Sequence, residues 1–309
     1  KFKLDHKASY LCFLPRTSNE YVKRSTLYQI EIVSESPIAG TYDFSNGTLS
    51  NAPIADASNT ITLTTGTGFP ITSSSTDINK NGAYVVIPPG THSLAIRYWL
   101  RNTTDNPDGE IRGTVTKYID INCKAGKIYD ITANLNPQDL SSEYYMWDAQ
   151  QQYWYGYEWT RKLTTGQPTN SNDPHSENYP KGNTDSRWHN EGTGVGRYDA
   201  TTALFKTLPN VNEMSWYVQK GDPHYDSDEL WTTMGHLYKG GMWFLKKNNI
   251  SGYSTEKSYD GTDWRVSSPG YNANHNIVAS LPSIGDTGKF FYMPFGGEYY
   301  MGRLTLVGS

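Results

Sequence analysis

The sequence is short of several things, and each shortage excludes something. Two cysteines in 309 residues are too few for a disulfide-built scaffold. No apolar run approaches the about 18 residues that a membrane-spanning helix requires. Charged residues make up 19%, 27 basic against 31 acidic for a net of -4, which leaves no basic footprint for nucleic acid or an anionic lipid surface. The seven histidines, at 6, 92, 175, 189, 224, 236 and 275, show neither HExxH nor any other paired spacing. GxSxG, a Cys/His nucleophile pattern and a phosphate-binding loop are missing too. A carboxylate pair of glycosidase type cannot be read from linear spacing. The chain is therefore expected to bind rather than catalyse, and to need no cofactor.

Aromatics are what the sequence has in excess. Only 36% of residues are hydrophobic, yet 14% are aromatic, with 24 Tyr, 9 Trp and 9 Phe. A disordered chain would not carry them, and low charge with much Tyr, Trp, Thr, Ser, Asn and Gly suits β-rich secreted proteins and polar-ligand surfaces. The excess is lopsided: residues 1–135 hold one Trp (Trp99) and 8 Tyr, and residues 136–309 hold 8 Trp and 16 Tyr. With a length near twice that of a common domain, two modules of different chemistry are expected. The start at Lys1, with no basic stretch and apolar run ahead of it, reads as a mature form whose targeting segment has been removed.

Residues 1–135 have period two. Phe2, Leu4 and His6 alternate with Lys3 and Asp5, and Tyr10–Leu14, Tyr28–Val33, Thr60–Thr64, Tyr84–Ile87, His92–Leu100, Gly113–Asn122 and Lys127–Leu135 read as strands separated by turn residues such as Pro88-Pro89-Gly90 and Lys124-Ala125-Gly126. About seven or eight strands without helical periodicity predict an antiparallel sandwich. Cys12 and Cys123 both lie in strand-like runs, and a cross-sheet pair or two buried free thiols are both open. Residues 136–199 form an aromatic and polar extension: Asn136-Pro137 breaks the last strand, Tyr144–Trp159 is densely aromatic, and Thr164–Gly196 is polar and aperiodic.

From 200 to 309 the pattern is α+β. Asn210 and Glu213 form a capping box, Val211, Met214 and Val218 recur on one face, and Gly221 ends the helix. A second short helix is predicted after Ser227, with Leu230 and Met234 on one face. Gly240–Leu245 reads as a strand. Lys289–Pro294 and Tyr299–Val307 read as a hairpin around Gly296-Gly297.

Two resemblances follow. Leu4–Phe13, Leu27–Ile32, Gly40–Phe44, Gly47–Leu49, Val86–Gly90 and Ala125–Leu135 resemble, in order and spacing, the fimbrillin-like subunits of Bacteroidetes surface fimbriae. The resemblance covers about 1–135. It implies a transthyretin-like antiparallel β-sandwich exported as a lipoprotein and joined to other fimbrial subunits by donor-strand insertion. One such domain, where stalk subunits have two, favours a tip or minor subunit. Thr207–Gly221, Leu230–Gly235, Lys239–Lys247, Tyr259–Trp264 and Phe291–Arg303 resemble the major paralogous domain of the same bacteria. That likeness spans about 200–309 and implies a C-type-lectin-like α+β fold. The family continues past the equivalent of Gly308 into a Trp-containing strand, so a C-terminal strand is expected to be missing. The fold class expected is mainly β and multidomain, and the function that of a cell-surface, outer-membrane adhesin binding host or bacterial glycan or protein. The alternatives are a glycan-capture component or carbohydrate-active enzyme, and a subunit that only extends a polymer.

Three groups are candidate ligand contacts. The aromatic cluster 144–159, with Trp154, Tyr155 and Trp159 foremost, could stack on sugar rings, because pyranose C–H faces pack on electron-rich rings; core or interdomain packing is the competing reading. Asp263, Trp264 and Arg265 lie beside Gly261 in a loop, and Glu298, Tyr299, Tyr300 and Arg303 flank a Gly-Gly turn. Trp231 and Trp243 belong to regular elements and are expected in the core. Asp222, Asp226 and Asp228 could converge on calcium, but the resemblance implies no metal, and the same acids could cap the helix expected after Ser227. His175, Glu177 and His189 in the polar stretch offer a zinc set.

Overall fold

In the computed structural model the described residues are 5–71, 73–162, 175–192, 199–267 and 276–307, without the side chains of 46, 161 and 162. Phe2 and Leu4 of the first predicted alternation, the parts 164–174 and 193–196 of the polar stretch, His275, and the chain end at Gly308-Ser309 lie outside them. The chain is mainly β and divides into two compact units. One comprises residues 1–137, 228–230 and 283–287; the other comprises 138–227, 231–282 and 288–309. No helix among the described residues is long and apolar enough to cross a membrane.

The first unit is built from β1 (Ser9–Arg16), α1 (Glu20–Lys23), β2 (Thr26–Ser34), β3 (Ala39–Thr41), β4 (Ala55–Ser58), β5 (Thr60–Pro70), α2 (Ile78–Asn81), β6 (Ala83–Ile87), β7 (Gly90–Asn106), β8 (Gly109–Cys123) and β9 (Ile128–Asn134). One layer has the order β6-β1-β9, another β8-β7-β2-β5, and β3 pairs with β4. The period-two pattern explains the layers. Leu11 and Phe13 of β1, Ile30 and Ile32 of β2, and Leu94, Ile96, Tyr98 and Leu100 of β7 are all buried, every second residue facing inward. The Phe13 ring meets Tyr98 edge-on with centroids 6.2 Å apart. Cys12 and Cys123 are free, buried thiols, and burial raises the Cys123 thiol.

One pairing departs from the expected antiparallel pattern. β1 runs parallel to β9, from Tyr10 opposite Ile128 to Arg16 opposite Asn134. Parallel neighbours cannot be joined by a tight turn, and here the intervening strands of the unit supply the crossover.

The second unit contains β10 (Gln138–Asp139), α3 (Val211–Lys220), β11 (His224–Thr233), β12 (His236–Leu245), β13 (Phe290–Pro294), β14 (Glu298–Tyr300) and β15 (Arg303–Thr305). The helix expected after Ser227 is instead the strand β11. Leu230-Trp231-Thr232-Thr233 is a β-favouring run. It ends at Met234-Gly235, whose φ values of 47° and 89° suit the two-residue turn leading into β12. The acidic run ahead of it therefore caps no helix. Asp228 ion-pairs with Arg97 at 2.9 Å. Glu229 accepts hydrogen bonds from Thr116 N, Thr116 Oγ1 and Thr114 Oγ1 at 3.0, 2.7 and 3.0 Å, all within the first unit. Gly113 permits that approach, since a Cβ there would stand 2.5 Å from the Asp228 carbonyl oxygen.

The expected hairpin around Gly296-Gly297 is also corrected. β13 pairs antiparallel with β12, Phe290 opposite Leu245, while β14 pairs with β15. That hairpin turns at Met301-Gly302, with φ values of 49° and 78°. Phe290 gains a buried place against β12, which the shorter β14–β15 pairing would not supply. Trp231 is fully buried and stacked on Tyr238 at 5.0 Å, its indole N–H donating to Gly240 O at 3.1 Å. Trp243 is half-buried and donates to Asp226 at 3.1 Å.

Replacing Phe13 by Ala removes the ring that packs on Tyr98. It is expected to destabilise the first unit by about 3–5 kcal/mol, read from the shift of its denaturant midpoint; a loss below about 1 kcal/mol would show that this contact does not organise the core.

Candidate functional site

The aromatic run Tyr144–Trp159 is split in the second unit between core and surface. The parallel pairing of Gln138 with Trp231 and Asp139 with Thr232 delivers the chain to the Tyr144 ring, whose hydroxyl donates to Gly296 O at 2.6 Å. Trp154 is fully buried and Tyr153 nearly so, packed with Met234, Tyr144, Tyr157, Tyr179 and Tyr299. Tyr153 and Tyr299 stack at 5.2 Å, and Trp154 meets Tyr299 edge-on at 5.4 Å. Burial pushes the Tyr153 hydroxyl up to about 12 even though it accepts a hydrogen bond from Gly302 N. Trp154 is thus a core residue, and no ligand can stack on it. Arg187, also buried, holds this core from behind. It donates to Tyr153 O and Asn178 O, pairs with Asp185 at 2.8 Å and lies 4.6 Å over the Tyr157 ring.

The same run sends Tyr145 and Trp147 outward, because Asp148 reverses the chain. Asp148 adopts a left-handed φ of 52° and is buried. Its carboxylate accepts from Thr201 N (2.8 Å), Thr201 Oγ1 (2.6 Å), Thr202 N (2.9 Å), Thr202 Oγ1 (2.8 Å) and Asn190 Nδ2 (2.8 Å). Burial alone would raise this carboxyl, but the donors from Thr201, Thr202 and Asn190 outweigh it and hold it well below the usual carboxylate range. Asn190 N also donates to Trp147 O at 2.8 Å. Phe205, three residues past Thr202, is thereby set edge-on to Trp147 at 5.4 Å and to Tyr145 at 6.1 Å.

A facing wall comes from α3 and the loop 258–267. The capping box is present, with Glu213 N donating to Asn210 Oδ1 at 3.1 Å and Asn210 N to Glu213 Oε2 at 2.9 Å. The buried face of the helix is nevertheless the polar one: Asn212 and Ser215 are buried, and Val211 and Met214 are exposed. Asn212 donates to Asp263 at 2.9 Å and accepts from Trp264 N at 2.8 Å, and Ser215 Oγ accepts from Tyr259 N at 3.2 Å. Arg265 pairs with Asp263 at 2.8 Å and with Glu256 at 2.6 Å. Hydrogen bonds from Arg265 and Asn212 lower Asp263 strongly. Ser258 and Thr262 bring Asp260 down to about 2, and the Trp264 indole N–H donates to it at 3.2 Å.

Between these walls lies a cleft of about 890 Å³ lined by Trp147, Phe205, Leu208, Pro209, Val211, Trp264 and Arg265, with His189, Asn190, Glu191, Asp199 and Lys206 among its polar groups. A second, of about 480 Å³, is lined by Glu143, Tyr144, Tyr145, Tyr153, Glu298 and Tyr299. A third, of about 420 Å³, is lined by Asp148, Asp185, Trp188 and again by His189, Asn190 and Glu191.

The structure therefore brings Trp264 and Arg265 into one cleft, with Asp263 behind them, and Glu298 and Tyr299 into another. Tyr300 is exposed and Arg303, its partner across the β14–β15 pair, is half-buried; neither lines these clefts. Tyr155 and Trp159 are 49% and 65% exposed and also stand outside them. Among the described residues no group of three His, Cys, Asp or Glu comes together that could hold a metal ion. Asp222, Asp226 and Asp228 do not converge, and His175, Glu177 and His189 do not either. Trp147 lay within the aromatic cluster 144–159 without being singled out, and Phe205, Asp148 and Asn212 carried no site signal of their own. The pair Thr201-Thr202 after an Asp-terminated aromatic run was the available signal, and it is a weak one.

No family model matches the chain, and no curated protein matches it. Among solved structures, a protein of Bacteroides fragilis provisionally described as a cell adhesion protein aligns at 18% identity with a TM-score of 0.28, over 42% of this chain and 42% of that one. A likeness of that size assigns neither fold nor function.

Asp148→Ala is expected to cost about 3 kcal/mol, because it strands buried donors that served a charged acceptor. The folded pKa lies below the unfolded one, so this contribution is fully present above the ordinary carboxylate range and is lost as pH falls through that range toward the folded value. The stability gap between the two proteins should be constant above about pH 5 and start to narrow between pH 5 and pH 3; a gap unchanged across that range would rule out the carboxylate as the source.

Proposed function

We propose that this chain is a cell-surface adhesin that binds glycan or protein ligands without catalysis, through the cleft walled by Trp147, Phe205, Trp264 and Arg265. The observation that carries the reading is the preorganisation of that cleft. One wall is fixed by the Asp148 carboxylate and the other by Asn212 and the Asp263–Arg265–Glu256 ion pairs, so half-exposed aromatic rings are held without prior ordering on binding. Rigid aromatic anchors in a partly polar cleft are how proteins gain affinity for amphipathic ligands at low entropic cost.

The finer assignments extend the same reading. The first unit is a fimbrillin-like, transthyretin-like sandwich, and the second is C-type-lectin-like. The protein is a tip or minor subunit of an outer-membrane fimbrium, joined to other subunits by strand donation. Support for the assembly role comes from the three-stranded layer, where β6 and β9 each pair with β1 alone. An edge of that kind accepts a further strand through backbone hydrogen bonds with little regard to sequence.

The test is adhesion and array binding by the full chain against Trp147→Ala and Trp264→Ala. Each substitution is expected to weaken binding about tenfold, the equivalent of about 1.4 kcal/mol for one lost ring contact. Undiminished binding by both variants would remove the cleft from the mechanism. Hydrolysis of a polysaccharide panel by the wild type would instead favour a carbohydrate-active enzyme.

A further inference from the structure

The three clefts are neighbours, and their lining has a common chemistry. Tyr145 lines the second and Trp147 the first, and the Phe205 ring touches both, at 6.1 and 5.4 Å. Tyr145, Phe205 and Trp147 thus make one aromatic ridge with a cleft on either side. The first cleft adjoins the third at His189, Asn190 and Glu191, which line both. A compact ligand would fill one of these spaces; a linear one can occupy all of them in succession.

Charge narrows the class. The second cleft carries Glu143 and Glu298, the third Glu191 together with the donor-saturated Asp148 and the Arg187-paired Asp185, and among the described residues neither has a lysine or arginine in its lining. In the first cleft Arg265 is already held by Asp263 and Glu256, which leaves Lys206 facing Glu191, Asp199 and Glu213. A polyanion would meet the Glu143 and Glu298 carboxylates in the second cleft and Glu191 where the first and third adjoin. The walls of the first and third clefts are loops, short turns and the capped start of a helix, which offer a peptide backbone no ladder to extend; strand residues enter the lining in the second cleft, at Pro294, Glu298 and Tyr299. What remains is exposed ring surface interleaved with carboxylate, amide and imidazole groups, which matches the alternating C–H faces and hydroxyls of uncharged sugars.

We propose that the adhesive ligand is a neutral glycan chain of several sugar units, laid across the Tyr145–Phe205–Trp147 ridge so that successive units occupy the neighbouring clefts. This rests on the cleft being the binding site, as argued above, and adds the class and length of what it holds.

The experiment measures binding of the full chain to two oligosaccharide ladders of one to eight units. One ladder is neutral (manno-, gluco- and galacto-oligomers), and the other is of the corresponding uronic acids. Affinity for at least one neutral series is expected to rise tenfold or more between two and five units, and to change little between 0.05 and 0.5 M salt. Glu143→Ala, an exposed position in the second cleft, and Tyr145→Ala should each shrink the ratio of long-chain to short-chain affinity severalfold. Tyr145→Phe, which keeps the ring, should retain most of it. Near-ultraviolet circular dichroism checks that each variant is folded. A flat length dependence, or a preference for the uronate ladder, overturns the proposal. Trp147-dependent binding to a protein ligand with no response to either ladder overturns it while leaving the adhesion reading in place. No binding to any ligand, with adhesion unaffected by Trp147→Ala, defeats both.

Discussion

The second unit depends on one carboxylate. Asp148 sits where a run of rings would otherwise continue inward. By accepting five hydrogen bonds it stops the run, turns the backbone through a left-handed residue and fastens two distant segments to the turn. An isolated buried anion would be intolerable, so the donors and the turn require each other. The aromatics around it are sorted ring by ring: Tyr144, Tyr153 and Trp154 join the core, while Tyr145, Trp147, Tyr155 and Trp159 stand at the surface.

The facing wall obeys a similar logic with neutral groups. A helix that exposes Val211 and Met214 while burying Asn212 and Ser215 forgoes some hydrophobic stabilisation, about 25 cal/mol for each Å² left in water. In return, Asn212 reads both the side chain of Asp263 and the backbone of Trp264. Geometry of the loop has been favoured over burial. Departures from the simple patterning rule are expected where a surface has work other than stability.

Much of the fold was legible in the sequence and some of it was not, for identifiable reasons. Alternation located β1, β2, β5, β6, β7, β8 and β9 because each has one face on a core. The capping box located α3 because Asn210 and Glu213 satisfy each other locally. Periodicity then pointed to the wrong face of that helix, since its buried neighbours are loop polar groups that lie 44 to 52 positions away in sequence. The strand β11 was misread because Leu230 and Met234 happen to fall four apart, and the turn after it uses a left-handed Met, which no residue preference signals. For the same reason the hairpin turn was sought at Gly296-Gly297 when it lies at Met301-Gly302. In the site, Trp264 and Arg265 were recognisable as loop residues beside a glycine. Trp147 was not distinguishable from Trp154, because a run of rings without a period does not announce which way each one faces.

The parallel pairing of β1 with β9 has a consequence for how the first unit is made. Tyr10 finds its partner in Ile128, so the strand synthesised first waits for the strand synthesised last before the smaller layer can close. Contacts of such long sequence separation slow folding, and during the wait the apolar face of Leu11 and Phe13 has only later-arriving strands to cover it. A chain emerging from its ribosome would therefore close this layer only after β9 is made, with a stretch of vulnerability to misassociation before it.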